Sequence, residues 1–334
     1  MTTPTMRYRR ERALELLRRT ADGGYPVDYL LSRIRGRKGH FIRDWNFLLS
    51  DIAPLEYLAT TRYGTFMADN SPDAVWRHLL REFQWVYFQM NRRLWDIFWP
   101  FFLYSELKTI FICLRYIEGE RDGKIGRLLS PSVLSEKVKK ALQSSHDITS
   151  AVKGIEGLFL PLSSAFSGLT EILDREGLRG VEELMTETFL GHTVRSKIHF
   201  VIKDFFVRVI DSRNILALYR HLKHDTKGSS PFLSGGSISK KKLLELSKLK
   251  NTFELSSLVG KLTGITVERP DTATIENALY RGMTSFLRKA GREPLGIGLI
   301  LDYLWRCSLE ARNLSIILYG SDISRDRIRA EMVR

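Results

Sequence analysis

One helical motif recurs along this sequence, and its recurrence constrains the possible folds more than any other feature. Near the C-terminus the motif reads Glu310-Ala311-Arg312-Asn313-Leu314, and upstream it reads Asp211-Ser212-Arg213-Asn214-Ile215. Both segments place an acid, any residue, Arg, Asn and an aliphatic residue in succession. We predict a third, less complete copy at Glu106-Leu107-Lys108-Thr109-Ile110, in which Glu106 stands where the Asn would be expected. Long-range self-similarity of this kind is typical of chains built from repeated structural units.

An apolar stripe precedes each copy of the motif. The three stripes are Val75, Leu79 and Phe83; Val181, Met185 and Phe189; and Ile275, Leu279 and Met283. Residues four apart lie on one face of a helix, so each stripe predicts an amphipathic helix. From the first residue of each stripe to Glu106, Asn214 and Asn313 the distances are 31, 33 and 38 residues. A stripe alone occurs in any amphipathic helix, but stripe and motif together predict three similar helical units.

The polar residues of the motif are interpreted as structural. Asn has a low propensity for helix interiors, so its recurrence indicates a hydrogen-bonding role, such as holding the end of an adjacent helix. The acid and the Arg lie two positions apart and cannot face each other on a helix, so each is expected to pair with a neighbouring helix. The residues interpreted in this way are Glu106, Asp211, Arg213, Asn214, Glu310, Arg312 and Asn313.

Two polar segments divide the chain. Residues 118–123 and residues 226–237 are rich in Gly, Ser and charged residues, which break regular structure. We therefore predict three units, at residues 1–123, 124–234 and 235–334. No segment alternates with the period of a strand, whereas apolar residues recur at spacings of four and three before each break. The sequence thus predicts an all-α fold of three similar helical bundles.

Local signals set the expected helix boundaries. Because proline interrupts a helix interior, one helix is predicted to end before Pro100 and another to follow it. Gly320 is expected to stop the last long helix, ahead of a short helix capped by Ser321 or Asp322. The main predicted helices cover residues 6–19, 27–49, 72–98, 195–224 and 296–319.

The charge balance favours an anionic partner. The chain has 52 Lys and Arg against 38 Asp and Glu, a formal net charge of +14. Such an excess is typical of proteins that contact nucleic acid, a lipid surface or an acidic protein. The densest basic group consists of Arg33, Arg35, Arg37 and Lys38. We predict it as a candidate partner-binding face, with a simple solvated face as the alternative.

No pattern in the sequence is typical of a catalytic, cofactor or metal site. The segment Gly119–Lys124 resembles a phosphate-binding loop, but its spacing is one residue short and Ile125 replaces the Ser or Thr that would bind Mg²⁺. His221, His224 and Asp225 could offer metal ligands, but a surface pair at a helix end explains them better. We therefore expect no catalytic residues, no cofactor and no metal.

The sequence also gives expectations about compartment. Its two cysteines, Cys113 and Cys307, lie on apolar stripes, as expected for buried thiols in a reducing compartment. The N-terminal residues lack the apolar core of a secretion signal. Glu106 and Lys108 interrupt the most apolar stretch, residues 97–114, which is therefore not expected to span a bilayer. A soluble protein is predicted.

Several segments resemble one known family in the same order. They are Tyr29-Leu30 with Arg33-Ile34-Arg35, Leu55 and Leu58 with Thr61-Arg62-Tyr63, the loop Phe232–Ile238, and Tyr303 with Glu310–Leu314, Ile317-Leu318 and Ile328–Glu331. The sequence thereby resembles, nearly from end to end, the central-stalk subunit of V/A-type ATPases. That subunit is called C in prokaryotic complexes and d in eukaryotic ones.

This resemblance implies a function. Members of the family form a funnel of three helical bundles about a pseudo-threefold axis. They link the rotor shaft, subunits D and F, to the membrane proteolipid (c/K) ring. They have no active site and transmit torque for the transport of protons or sodium ions. By resemblance the chain should lie peripherally on the cytoplasmic face of the membrane, and it should be a monomer when isolated. The alternative is a basic helical nucleic-acid-binding protein, which would explain the charge without the repeats.

Overall fold

The described part of the chain is helical. A computed structural model describes residues 15–18, 23–49, 54–64, 73–120, 122–224, 232–249, 252–293, 296–320 and 324–333. Within these ranges the chain forms α-helices and short 3₁₀ helices and contains no β-strand. The prediction of an all-α fold is therefore confirmed.

The helices are numbered here in chain order. The α-helices are α1 Val27–Arg37, α2 Trp45–Leu48, α3 Pro54–Ala59, α4 Ala74–Gln89, α5 Arg92–Glu118, α6 Ile125–Leu129, α7 Glu136–Gln143, α8 Ile148–Phe159, α9 Leu169–Arg195, α10 Phe200–His224, α11 Lys240–Leu249, α12 Thr252–Thr263, α13 Thr272–Ala290, α14 Gly298–Tyr319 and α15 Arg325–Glu331. Short 3₁₀ helices cover Lys38–His40, Asp122–Lys124 and Ser164–Phe166.

The helices group into two compact units, each discontinuous in sequence. The first unit contains the described residues before Asp28 and within 80–203. The second contains the described residues within 28–79 and 204–334. The N-terminal part of the second unit thus folds with the C-terminal third of the chain. The division into three units at residues 123 and 234 stays a prediction.

Helix α5 forms the centre of the first unit. Its side chains at Leu103, Ile110 and Leu114 are fully buried, and it packs against α8 and α9. Among the described helices α5 alone is long and apolar enough to cross a bilayer, but 67% of its most apolar stretch is buried within the protein. Burial of this kind is typical of a core helix, because the apolar face is already covered by neighbouring helices.

The break between α4 and α5 lies earlier than predicted. We expected one helix to end before Pro100, but Pro100 lies inside α5, which begins at Arg92. The boundary is set by Asn91, whose side chain accepts a hydrogen bond from the backbone N–H of Leu94 at 3.1 Å. An Asn at this position satisfies one of the free N–H groups of the first turn and so defines where the helix starts.

Other boundaries agree with the prediction to differing degrees. The helix predicted over residues 27–49 divides, because α1 ends at Arg37 and Asp44 caps the separate helix α2. Residues predicted as one helix from 195 belong partly to α9, and α10 begins at Phe200. Helix α14 and its end at Gly320 match the prediction closely. Ser324 precedes the last helix, while Ser321, Asp322 and most of residues 6–19 lie outside the described residues.

Candidate functional site

The acid in the first copy of the motif, Glu106, forms hydrogen bonds to the loop that precedes α7. Glu106 on α5 is buried, and its Oε1 accepts a hydrogen bond from the backbone N–H of Val133 at 2.7 Å. Its Oε2 accepts from the Ser132 hydroxyl at 2.8 Å. Burial raises the pKa of the Glu106 carboxyl, and the hydrogen bonds from Val133 and Ser132 act against that rise. The carboxylate thereby fixes the loop ahead of α7, whose first turn is capped by Ser135.

The acid in the second copy makes the same two hydrogen bonds. Asp211 on α10 is buried and accepts from the Ser237 hydroxyl at 2.6 Å and from the backbone N–H of Ile238 at 3.2 Å. In both copies the hydroxyl donor follows the acid by 26 residues and the N–H donor by 27. Gly236 permits the close approach, because a Cβ there would lie 2.3 Å from Asp211 Oδ1. The loop again leads into a helix, α11, whose first turn bonds to the hydroxyl of Ser239.

The acid in the third copy reaches the N-terminal part of the chain. Glu310 Oε1 on α14 accepts from the backbone N–H of Ile42 at 2.6 Å, just ahead of α2. Its Oε2 accepts from the Tyr63 hydroxyl at 2.7 Å and from the guanidinium of Arg62. We call these three hydrogen-bonded carboxylates, Glu106, Asp211 and Glu310, the acid clamps. Each accepts the N–H of an apolar residue that lies shortly before a helix.

Burial shifts the pKa of the groups around Glu310. Burial and the nearby Glu310 carboxylate raise the pKa of Tyr63 well above its ordinary value. For Arg62, burial acts to lower the pKa, but the nearby Glu310 carboxylate acts to raise it, and the net pKa is raised. The guanidinium therefore keeps its charge beside Glu310 in a site from which water is largely excluded.

These contacts correct the register of the first motif. The sequence placed Glu106 at the position of Asn214 and Asn313, but its hydrogen bonds match those of Asp211 and Glu310. Thr109, which is buried, then stands where the other copies have Asn. The predicted register was wrong: with acid aligned to acid, Glu106–Ile110 matches the other two copies position by position, and the distance to the Ser donor agrees with that register.

The two Asn side chains make a common kind of contact. Asn214 accepts from the backbone N–H of Leu233 at 2.7 Å and donates to its carbonyl at 3.0 Å. Asn313 forms the same pair of bonds with Val333, at 3.2 and 2.8 Å. A side-chain amide here satisfies both backbone groups of one buried non-helical residue. Asn214 thus holds the segment ahead of α11, and Asn313 holds the residue directly after the C-cap of α15.

The arginines of the motif differ in their surroundings. Arg312 donates from Nη1 to the carbonyl of Glu331 at 2.8 Å, and its guanidinium lies 4.6 Å from the ring centroid of Tyr280. Arg213 is exposed. The acid of the motif therefore forms an acid clamp in all three copies. Among the described residues, the Arg of the motif packs into the fold in the last copy only.

The predicted basic group divides into two pairs. Arg33 and Arg35 are exposed on α1. Lys38 Nζ lies 2.5 Å from the buried carboxylate of Asp302, and Arg37 Nε donates to the hydroxyl of Tyr303 at 3.3 Å. Lys38 and Arg37 therefore contact α14, and Arg33 and Arg35 lie on the exposed surface of α1.

Comparison with known families decides the identity of the chain. Residues 31–331 match the family described as ATP synthase (C/AC39) subunit. The chain belongs to this family. It is thus a subunit of a V/A-type ATPase and acts with partner subunits in a complex associated with a membrane. A comparison with curated proteins found no match.

The carboxylates of the acid clamps are occupied by hydrogen bonds within the chain. Both oxygens of each carboxylate accept hydrogen bonds from the chain itself. Among the described residues no three or more His, Cys, Asp or Glu side chains come together as metal ligands do. Asp225, considered with His221 and His224, lies outside those residues.

Sequence analysis did not identify the residues that donate hydrogen bonds to the acid clamps. The common 26-residue spacing from acid to Ser, followed by an aliphatic residue, could have identified Ser132 and Ser237. No comparable signal connects Glu310 with Arg62 and Tyr63, because almost 250 residues separate them (248 and 247 in the two contacts). Only the fold brings those three side chains together.

Proposed function

We propose that this chain is the non-catalytic central-stalk subunit that links the rotor shaft to the proteolipid ring. In this role it transmits torque between ATP turnover and the transport of protons or sodium ions. Its partners would be the c/K ring and the shaft subunits D and F, on the cytoplasmic face of the membrane. The observation that carries the proposal is the family match over residues 31–331.

The contacts within each unit support this role. A part that transmits torque must resist displacement of its helices against the segments that join them. Buried hydrogen bonds to Glu106, Asp211 and Glu310 fix connecting segments to long helices. Asn214 fixes the same segment as Asp211, and Asn313 fixes the residue that follows the C-cap of α15. Breaking such buried bonds costs more than breaking exposed ones, because the freed groups would be left without water.

The exposed basic pair of α1 is a candidate contact with the ring or its lipids. Arg33 and Arg35 lie on the accessible side of a short helix. Anionic lipid headgroups on the cytoplasmic side of a membrane attract such residues by about 1 kcal/mol per charge. We propose that this pair contributes to seating the subunit at the membrane.

Affinity purification from native membranes tests the main proposal. The tagged full-length chain is purified after gentle solubilisation, and the accompanying proteins are identified. We expect a very apolar proteolipid together with the ATPase subunits. Recovery of nucleic acid without membrane subunits would contradict the proposal and favour the nucleic-acid-binding alternative.

A charge-reversal pair tests the contact of α1. We expect Arg33→Glu with Arg35→Glu to reduce recovery of the proteolipid. The matched control is Arg175→Glu with Arg179→Glu, which changes the net charge equally at exposed arginines of the first unit. Equal recovery with both double variants would remove α1 from the membrane contact while leaving the stalk role in place.

A further inference from the structure

Arginines from three elements of the second unit converge on one groove. The groove has a volume of about 880 Å³ and lies between the loop after α12, the helix α13 and the C-terminal helix α15. Arg269 of the loop, Arg281 of α13 and Arg329 of α15 line it, along with the hydroxyl-bearing residues Thr266 and Thr274. Its volume lies within the range typical of sites for small molecules.

The wall that carries Arg329 is firmly attached. Asn277 on α13 donates from Nδ2 to the carbonyl of Ala330 at 2.8 Å and to that of Met332 at 3.1 Å. Arg312 and Asn313 hold the neighbouring backbone of the same C-terminal segment. The backbone next to Arg329 is therefore held against α13 by hydrogen bonds, so the wall of the groove does not depend on a ligand to assemble it.

The groove has an excess of positive charge. Among the described residues, the side chains of Arg269 and Arg281 form no ion pair or hydrogen bond, and both are exposed. Arg329 Nη1 lies 3.3 Å from Oδ1 of Asp326, whose side chain is 94% exposed. Glu268 is the acidic residue among the described lining. An exposed pair such as Arg329–Asp326 is weak, so a stronger anion can replace Asp326.

The arrangement fits a ligand with several phosphate groups. Guanidinium groups bind phosphate oxygens through paired N–H donors, and three such groups around one groove can bind more than one phosphate. We propose that this groove binds a polyphosphorylated ligand, either a soluble polyphosphate or the headgroup of a phosphorylated lipid. The proposal rests on the groove alone and is independent of the role in the central stalk.

Two probes distinguish the sources of phosphate. Tripolyphosphate is titrated into the full-length protein by calorimetry. Flotation is measured with phosphatidylcholine vesicles that contain or lack phosphatidylinositol bisphosphate. Binding of tripolyphosphate without flotation indicates a soluble ligand, and flotation with the phosphorylated vesicles alone indicates a lipid. Binding of both supports the shared phosphate chemistry, and binding of neither overturns the proposal.

Variants locate the binding in the groove. We expect Arg269→Glu with Arg281→Glu to weaken binding about 100-fold or more, since each lost charged contact corresponds to at least about tenfold. Asp326→Asn should strengthen binding, by about threefold, because it releases Arg329 from its exposed partner. These residues are exposed, and circular dichroism verifies that the variants fold.

A control of equal charge separates the groove from general electrostatics. Arg288→Glu with Arg292→Glu makes the same change in net charge at exposed arginines near the end of α13 that do not line the groove. We expect it to retain most of the binding. If this control weakens binding as much as the double variant in the groove, or if Asp326→Asn weakens it, the proposed site is wrong.

Discussion

Glu106 in the first unit and Glu310 in the second perform the same task with different partners. Each is a buried Glu of a long helix, and each accepts the backbone N–H of an aliphatic residue ahead of a short helix. The second oxygen of Glu106 accepts from a neutral Ser hydroxyl, whereas that of Glu310 accepts from a Tyr hydroxyl and the guanidinium of Arg62. The repeated part of the clamp is therefore the bond to the backbone, and the repeats diverge at the other oxygen.

This difference has an energetic consequence. A carboxylate held by neutral donors can be replaced by an amide that keeps the bond to the backbone. A carboxylate paired with a buried cation cannot be replaced in this way, because the cation would keep its charge and lose the carboxylate that opposes it. Because Arg62 has only 12% of its side chain exposed, water cannot replace Glu310 fully. The same substitution should therefore have unequal effects at the two positions.

The largest expected effect is that of Glu310→Gln. We expect it to lower the free energy of unfolding by about 3–5 kcal/mol, the usual cost of removing one partner from a buried ion pair. Denaturant unfolding of the full-length chain measures this loss. Adding Arg62→Met to Glu310→Gln should restore part of it, and a double variant less stable than Glu310→Gln alone would contradict the ion-pair explanation.

Next in size are the Asn residues that hold buried backbone groups outside the helices. Asn214→Ala and Asn313→Ala should each cost about 1–3 kcal/mol, because both backbone groups of Leu233 or Val333 lose their partner. Urea unfolding provides the measurement, and Arg213→Ala, at an exposed position one residue before Asn214, is the control. Equal effects of Asn214→Ala and Arg213→Ala would show that the amide is not holding the segment.

A second ion pair on α14 should contribute less. Lys38→Met leaves the buried Asp302 with Arg306, whose Nε lies 3.3 Å away, so we expect a loss of about 1 kcal/mol. Arg33→Met, at an exposed position of α1, should change stability by less than about 0.5 kcal/mol. Thermal or denaturant unfolding compares the two variants. A larger loss of stability for Arg33→Met than for Lys38→Met would mean that Arg33, and not Lys38, is the member of the basic group that contributes to stability.

The smallest expected effect is that of Glu106→Gln. Because burial raises the pKa of Glu106, the folded state binds its proton more tightly than the unfolded state. This contribution to stability is present below the ordinary Glu pKa and is lost as the pH rises toward the raised value. A Gln side chain does not titrate in this way. At neutral pH we expect Glu106→Gln to lower the free energy of unfolding by less than about 1 kcal/mol.

Unfolding measured across the acidic range tests this directly. The stability of the unsubstituted chain should contain a component that falls with rising pH and is absent in Glu106→Gln. If Glu106→Gln costs as much at neutral pH as Glu310→Gln, the two clamps are energetically alike and the comparison between them fails.

Much of the fold could be predicted from the sequence. The helical period identified the all-α fold, and Gly320 identified the end of α14. The break between α4 and α5 was misplaced, because the rule against proline inside helices outweighed the capping signal of Asn91. Pro100 is tolerated within α5, where the surrounding core fixes the helix.

The candidate site was less predictable. The motif identified Asp211, Asn214, Glu310 and Asn313, all of which are buried and hydrogen-bonded. Helical periodicity describes one element at a time, so it could not reveal that Arg62 reaches Glu310 or that Lys38 reaches Asp302. Those contacts depend on how distant parts of the chain fold together.

The most direct test of the proposed role is coupling in the assembled ATPase. The complex is reconstituted into vesicles with and without this chain, and ATP hydrolysis and ion transport are measured in the same samples. We expect vesicles lacking the chain to hydrolyse ATP without building an ion gradient, and re-addition of the chain to restore transport. Undiminished ion transport in its absence would contradict the role in torque transmission.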